Sequence, residues 1–184
     1  MNTNLKLASL SIALALSIAS TPSFSQVMVG GASMFPNKDI IDNAVNSKDH
    51  TTLVAAVKAA SLVDTLKSPG PFTVFAPTNA AFAALPAGTV DTLLKPENKP
   101  ALTGILTYHV VSGKMDAAAI SAAIKAGNGK AMMKTVAGGM LTAQASGGGV
   151  TITDEKGGSA KVTIADVYQS NGVIHVVDKV LLPK

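Results

Sequence analysis

The spacing of apolar residues divides the chain into a helical first part and a strand-rich last part. In the first part apolar positions recur every three or four residues, as at Leu53 and Val57, which is typical of an amphipathic helix. In the last part the period is two, because 141–145, 150–153 and 162–165 alternate apolar with polar residues. Glycine-bearing turns separate these runs, so we expect an antiparallel meander. Helices followed by strands predict an α+β domain.

Capping residues, proline and glycine indicate where the elements begin and end. Asp49 or Thr51 can cap one helix, Thr78 or Asn79 can cap another, and Gly127 stands where a helix would stop. We predict helices around 39–44, 53–60, 61–66, 82–85, 90–94, 100–106 and 116–126, and further strands at 72–76, 108–111 and 172–182.

The N-terminal end has the pattern of a secretory signal peptide. Lys6 supplies a positive start and 7–19 is an apolar run. Ser23 and Ser25 place small residues three before and one before a cut at Gln26. The apolar run is too short for a membrane-spanning helix, which needs about 20 residues. A buried core helix is the alternative, but the terminal position favours cleavage.

We therefore predict three segments and an exported protein. Residues 1–25 are the signal peptide, 26–36 form a flexible lead-in without clear periodicity, and 37–184 form one domain. Roughly 150 residues suffice for a single core and are too few for two comfortable ones. We expect the protein in the periplasm or the extracellular medium, with no stable insertion in a membrane.

The amino-acid composition excludes several kinds of binding site. The chain has no cysteine, which excludes disulfides and thiolate metal sites and favours a bacterial source for an exported fold. The net charge is +4, but all 15 basic residues are lysines and they are dispersed. Without the guanidinium of arginine or a basic cluster, nucleic-acid binding is not expected.

Three segments resemble the signature segments of the fasciclin-like domain family. They are Phe-Thr-Val-Phe-Ala-Pro-Thr-Asn-Ala-Ala-Phe at 72–82, Tyr-His-Val-Val at 108–111 and Asn-Gly-Val-Ile-His-Val-Val-Asp-Lys-Val-Leu-Leu-Pro at 171–183. The resemblance implies a fasciclin-like wedge of two packed β-sheets with a helical layer on one side. It also implies a secreted, non-enzymatic member of a family that acts by cell adhesion and protein binding.

Most residues of these motifs have a structural interpretation. Buried aromatic side chains would anchor the core, each worth roughly 1.5–3 kcal/mol. An Asn-Gly pair suits a turn before an alternating strand. The positions that we assign to this structural motif are Phe72, Phe75, Thr78, Asn79, Phe82, Asn171, Gly172 and His175.

The resemblance also points to two candidate contacts with partner proteins. In animal members, adhesion to integrins has been attributed to a Tyr-His segment and to an Asp-Ile pair before the last motif. These correspond to Tyr108 and His109, and to Asp166 and Val167, where valine replaces isoleucine. For His109 the alternative is a buried, hydrogen-bonded ring that fixes its segment.

Two other chemistries deserve comparison. A hydrolase could pair His109 or His175 with Ser112 or Ser170, but no Gly-x-Ser-x-Gly elbow is present and we expect no enzyme.

Methionines could bind Cu(I), as soft ligands do. We expect instead that Met132 and Met133 fill core space and that Met28 lies in a mobile tail. We predict no metal site and no cofactor.

The sequence therefore predicts a monomeric, secreted domain for adhesion or extracellular protein contact. Its partner would be an extracellular or envelope protein or a matrix component. The alternative is a periplasmic protein that binds a small ligand or a metal.

Overall fold

The helices lie mainly in the first two thirds of the chain. The computed structural model describes residues 26–184, and the predicted signal peptide lies outside this range. Within it the helices are α1 Ile40–Ala44, α2 Thr51–Ala59, α3 Val63–Lys67, α4 Asn79–Ala83, α5 Thr89–Leu93, α6 Lys99–Tyr108 and α7 Ala117–Ala126, with 3₁₀ turns at Lys48–His50 and Pro96–Asn98.

The strands form one small and one large sheet. They are β1 Met28–Val29, β2 Ala32–Ser33, β3 Phe72–Pro77, β4 Val110–Ser112, β5 Lys130–Lys134, β6 Met140–Ser146, β7 Gly149–Thr153, β8 Ser159–Gln169 and β9 Gly172–Val177. Strands β1 and β2 pair with each other, and the large sheet has the order β4-β3-β9-β8-β7-β6-β5.

Three of the helices are capped at their N-termini by the side chain of the preceding residue. Asp39, Thr78 and Asp116 precede α1, α4 and α7, and each accepts a hydrogen bond from the backbone N–H three residues on. Such a cap satisfies a donor that the first helical turn leaves free. Polar residues that the chain places before its apolar runs therefore set where these helices start.

The large sheet bends into two packed halves at β8. Strands β3 and β9 run parallel, whereas the other neighbours are antiparallel. The register of β8 shifts between Val162 and Val167, so its first residues pair with β7 and the rest with β9. A β-bridge between Val111 of β4 and Thr135, the residue after β5, joins the two edge strands, so the sheet is nearly closed. This is the predicted α+β wedge.

Strand β9 separates two hydrophobic cores. Ile174 and Val176 face the first core, which α1, α2, α3 and α6 cover. Val177 belongs to the second core, which lies between the two halves of the sheet and under α7. The period of two along this strand, predicted from its sequence, therefore sorts alternate side chains into different cores.

The structure corrects the interpretation of the N-terminal segment and of the methionines. Residues 26–36 were expected to be flexible, but β1 and β2 form a hairpin whose Val29, with nearby Met34, is buried in the first core. Met132 was expected in the core, yet it is 71% exposed while Met133 is buried. They are neighbours on β5, and successive side chains of a strand point to opposite faces.

Boundaries near the second motif also differ from expectation. Tyr108 is the last residue of α6 and His109 is its C-cap, so β4 starts only at Val110. The last strand ends at Val177, and 178–184 are not in a strand. Strand β5, Lys-Ala-Met-Met-Lys, was not predicted because it has no β-branched residue. Its hydrogen-bonded pairing with β6 stabilises the extended conformation instead.

Candidate functional site

Tyr108 is completely buried and joins α6 to the first residue of β6 and to the loop after β7. Its hydroxyl donates to the carbonyl of Met140 at 2.8 Å and accepts from the backbone N–H of Glu155 at 3.0 Å. Burial, together with the nearby carboxylates of Glu155 and Asp154, raises the pKa of the phenol. The ring therefore acts as an internal strut and presents no surface to a partner.

His109 is also buried and uses both ring nitrogens on backbone groups. Nδ1 lies 2.8 Å from the carbonyl of Ile105 and donates to it, while Nε2 accepts from the N–H of Leu181 at 2.9 Å. This pattern requires a neutral ring with its proton on Nδ1. Burial lowers the pKa of His109 to about 4, so the ring is neutral at pH 7.

The Asn-Gly pair of the last motif lies where distant segments meet. The Asn171 side chain accepts from the N–H of Ile40 at 3.1 Å and donates to the carbonyls of Leu66 at 2.7 Å and Ser68 at 3.0 Å. At Gly172 a Cβ would overlap the carbonyl of Phe72 in the neighbouring strand. The pair therefore joins α1, α3 and β3 at one point.

The remaining motif residues have structural positions as well. Phe75 is fully buried and stacks on His175 with 5.7 Å between the ring centroids. Phe82 is buried in the first core and Phe72 is half-buried against it. The Asn79 side chain accepts from the N–H of Thr52 at 3.0 Å and donates to the carbonyl of Lys48 at 2.8 Å.

His175 connects the last motif to Asp166. Its Nε2 donates to the carbonyl of Met115 at 2.8 Å, and its Nδ1 accepts a long bond of 3.4 Å from the N–H of Asp166. Burial lowers the pKa of His175, against smaller raising influences from the Met115 carbonyl and from two aspartates. A neutral ring behind Asp166 thus helps to hold its backbone.

Asp166 is a partly exposed residue of β8 with a left-handed backbone conformation. Its φ is +58°, a left-handed value that aspartate tolerates better than most residues. Its Oδ1 accepts from the N–H of Ala117 at 2.7 Å, so the first turn of α7 receives a carboxylate from β8 besides its own cap. The Ala117 N–H thus holds its side chain and His175 holds its backbone, and the residue remains half-buried.

Lys114, Asp116, Asp166 and Tyr168 together form a polar surface that we call the α7 patch. The Tyr168 hydroxyl donates a weak bond to Oδ2 of Asp116 at 3.4 Å, and Lys114 Nζ lies 4.7 Å from the Tyr168 ring centroid. Partial burial, followed by Asp166 and Asp116, raises the pKa of Tyr168. Charged groups and an aromatic ring are thus grouped on one surface.

The α7 patch includes one of the four sequence-derived contact candidates. Val167 is 1% exposed and faces the first core. Tyr108 and His109 are 0% and 2% exposed, and among the described residues no hydrogen bond joins them to Asp166. Sequence reasoning missed Lys114, Asp116 and Tyr168. The one available signal was Tyr168, an aromatic residue in a strand two positions from Asp166.

The rival chemistries find little support in the geometry. Both rings that could serve a hydrolase, His109 and His175, bond to backbone groups and not to Ser112 or Ser170. Within residues 26–184 no three histidine, aspartate or glutamate side chains are grouped as metal ligands would be. No helix in that range is long and apolar enough to span a bilayer.

Comparison with known proteins establishes the family. The sequence profile of the fasciclin domain matches residues 48–183. The Synechocystis protein sll1483 is 52% identical over 144 residues, covering 78% of this chain and 73% of that protein. Immunogenic protein MPB70 of Mycobacterium bovis is 39% identical over 145 residues, covering 76% of this chain and 66% of that protein. The chain belongs to the fasciclin domain family.

A solved structure shows the same fold. It is the FAS1 domain pair from the insect cell adhesion molecule fasciclin I, which superposes with a TM-score of 0.71 at 18% sequence identity. The match covers 80% of this chain and 51% of the domain pair, so the chain spans about half of that structure.

Proposed function

We propose that this protein is an exported, non-enzymatic fasciclin domain that binds another extracellular or envelope protein and thereby supports adhesion. The observation that carries the proposal is the α7 patch, because it is the surface where a family-derived contact residue, Asp166, stands beside an aromatic ring and further charges. Its relatives fit this role, since fasciclin I is a cell adhesion molecule.

The patch has the properties of a contact site on physical grounds. Tyrosine is enriched among residues that dominate binding energy at interfaces, because its ring buries much area at a small entropic cost. Lys114 and Asp116 hold Tyr168 from two sides, and Asp166 is fixed by Ala117 and His175. Such preorganisation reduces the entropy lost on binding. Tyr108, His109 and Val167 then support the fold behind the surface.

The absence of catalysis is part of the proposal. The two histidines of the family motifs, His109 and His175, are neutral and already bonded to the backbone, which leaves neither ring free to move a proton at the surface. General base catalysis needs a ring within reach of a substrate proton. A partner would therefore meet a fixed polar surface and no reacting group.

Export is the second part of the proposal and depends on residues outside the described range. Signal-peptide cleavage after Ser25 predicts Gln26, or its cyclised form, as the N-terminus of the exported protein. Mass spectrometry of envelope and culture-supernatant fractions reads this directly. An intact Met1 on protein confined to the cytoplasm would contradict the localisation.

The contact site is tested by adhesion of cells of the source species to surfaces coated with the protein. Tyr168→Ala and Asp166→Asn should each reduce cell retention at least several-fold. Asparagine keeps the left-handed preference and an acceptor for Ala117, so the second change removes little but the charge. Asp91→Asn, on an exposed position of α5, is the matched control.

The controls separate an effect on the α7 patch from an effect on the folding of the whole domain. Circular dichroism and the melting temperature must be unchanged in Asp166→Asn for the comparison to count. Equal retention by the wild-type protein and both patch variants would reject the α7 patch. Retention no greater than on uncoated surfaces would reject adhesion itself.

A further inference from the structure

The first core contains a cavity that the adhesive role does not use. It has a volume of about 40 Å³ and lies between α1, α2 and the β3–β9 face of the sheet. That is roughly three times the space that one water molecule needs. Its walls are mainly aliphatic side chains, among them Met34, Ile41, Leu53, Val57, Val74 and Ile174. None of the four α7-patch residues lines it.

One polar atom in the wall lacks a partner. His50 is 3% exposed, and its Nδ1 lies 2.9 Å from the hydroxyl of Ser47. Its Nε2 is buried and, among the described residues, has no hydrogen-bond partner. The Ala76 carbonyl is near enough to raise the pKa of the ring but makes no hydrogen bond with Nε2. An unpaired buried polar atom is costly, so this position favours an occupant.

Burial keeps the His50 ring neutral near pH 7. Burial is the largest influence on its pKa and lowers it, whereas the Ala76 carbonyl and the nearby Asp49 raise it less. The Ser47 hydroxyl can either donate to Nδ1 or accept from it, so both tautomers of the ring satisfy that bond. Nε2 is accordingly a donor in one tautomer and an acceptor in the other.

We propose that this cavity binds a small, mainly apolar molecule that carries one hydroxyl group, with the hydroxyl on His50 Nε2. A hydroxyl can donate or accept, so it matches either tautomer of the ring. Water is a poorer occupant, because a buried water usually makes two to four hydrogen bonds, and among the described residues His50 Nε2 is the one buried side-chain N or O atom without a partner. The aliphatic walls instead remove the apolar part of the molecule from water.

The size of the cavity limits the ligand and indicates its entrance. Space for about three waters suits a molecule of four or five heavy atoms, such as a short-chain alcohol. Even an ideal ligand of that size binds with micromolar affinity at best. Ala44 on α1 and Val54 on α2 line the cavity and are half-buried, so the wall is thinnest between these helices. The ligand enters there.

Propan-1-ol is the probe, and the ring nitrogens of His50 report its binding. In the purified protein, long-range ¹H–¹⁵N NMR spectra should show a saturable shift of the His50 Nε2 signal. Propane-1,3-diol has two polar ends and should give no saturable shift at the same concentrations. The ring signal is assigned by its loss in His50→Leu, which removes the ring nitrogens and leaves a side chain of similar size.

Two variants separate the polar group from the apolar space. His50→Leu should weaken propan-1-ol binding, read from methyl shifts of the wall, at least tenfold while xenon still enters. Val57→Ile places an extra methyl group in the cavity and should weaken both ligands at least tenfold. Ala44→Val fills the thinner wall if Val57→Ile does not fold.

Three results would overturn the proposal. The first is no saturable shift in the folded wild-type protein. The second is an equal response to propan-1-ol and the diol, or an equal response to propan-1-ol in the wild type and in whichever filling variant folds. The third is ordered water bound to Nε2 that propan-1-ol does not displace.

Discussion

The ring of His109 accepts a hydrogen bond from the backbone N–H of Leu181, 72 positions later in the chain, at 2.9 Å. Its other nitrogen donates to Ile105 within its own helix. The C-terminal segment after β9 is thereby bound to the end of α6. His109 is therefore a structural link between the second and third family motifs, and this role explains why it is buried.

Replacing His109 by alanine should destabilise the protein strongly. The substitution leaves the Leu181 N–H and the Ile105 carbonyl without partners and opens a void, which together cost about 2–5 kcal/mol. Urea unfolding followed by circular dichroism measures the loss. Lys125→Ala, at an exposed site on α7, should change stability by less than about 0.5 kcal/mol. An unchanged midpoint in His109→Ala would contradict the link.

Stability should fall as the pH drops from about 6.5 to about 4. The folded pKa of His109 is about 4, below its ordinary 6.5, so in this window the unfolded chain binds a proton that the folded chain does not. The stabilisation is complete above pH 6.5 and is lost as the pH approaches 4, amounting to about 3 kcal/mol. Burial lowers the pKa values of His50 and His175 in the same direction.

The contribution of His109 is isolated by His109→Gln, which keeps one donor and one acceptor but does not titrate. Urea unfolding of both proteins at several pH values between 7.5 and 4.5 gives the comparison. The variant should be less stable at pH 7.5 and should lose less stability on acidification. Parallel pH profiles for the two proteins would show that His109 is not the titrating group.

Tyr108→Phe should destabilise the protein by a smaller amount. The change removes only the hydroxyl, which leaves the Met140 carbonyl and the Glu155 N–H unpaired while the buried ring keeps its packing. We expect a loss of about 1–3 kcal/mol in urea unfolding. Amide hydrogen exchange should accelerate more around Met140 and Glu155 than in α2, because no residue of α2 takes part in these two hydrogen bonds. A uniform change throughout the protein would argue against a local strut.

The sequence predicts the fold better than it predicts the surface. Regular periodicity and short motifs identify the meander, the helix cap at Thr78, and the family. Strand β5 escapes prediction because its partner strand determines its conformation. The left-handed backbone at Asp166 and the approach of Lys114 to Tyr168 depend on the bend of β8 and the start of α7. Such meetings of distant segments leave no periodic signal.

The Asn171–Gly172 pair should tolerate almost no substitution, although both residues look like ordinary turn residues. Gly172→Ala would place a Cβ against the carbonyl of Phe72, a backbone atom that cannot move without breaking the β3–β9 pairing. We expect a loss of more than about 3 kcal/mol or a failure to fold. Gly104→Ala is the matched control, because a Cβ there meets nothing and alanine favours the helix.

Asn171→Asp tests whether the amide group itself is needed. Aspartate keeps an acceptor for the N–H of Ile40 but replaces the Nδ2 donor with an oxygen facing the carbonyls of Leu66 and Ser68. Two lost hydrogen bonds and the repulsion between oxygens should cost about 3–5 kcal/mol at pH 7. Because protonation removes the charge, part of this loss relative to the wild type should be recovered near pH 4. A variant as stable as the wild type at pH 7 would show that the junction of α1, α3 and β3 does not depend on this side chain.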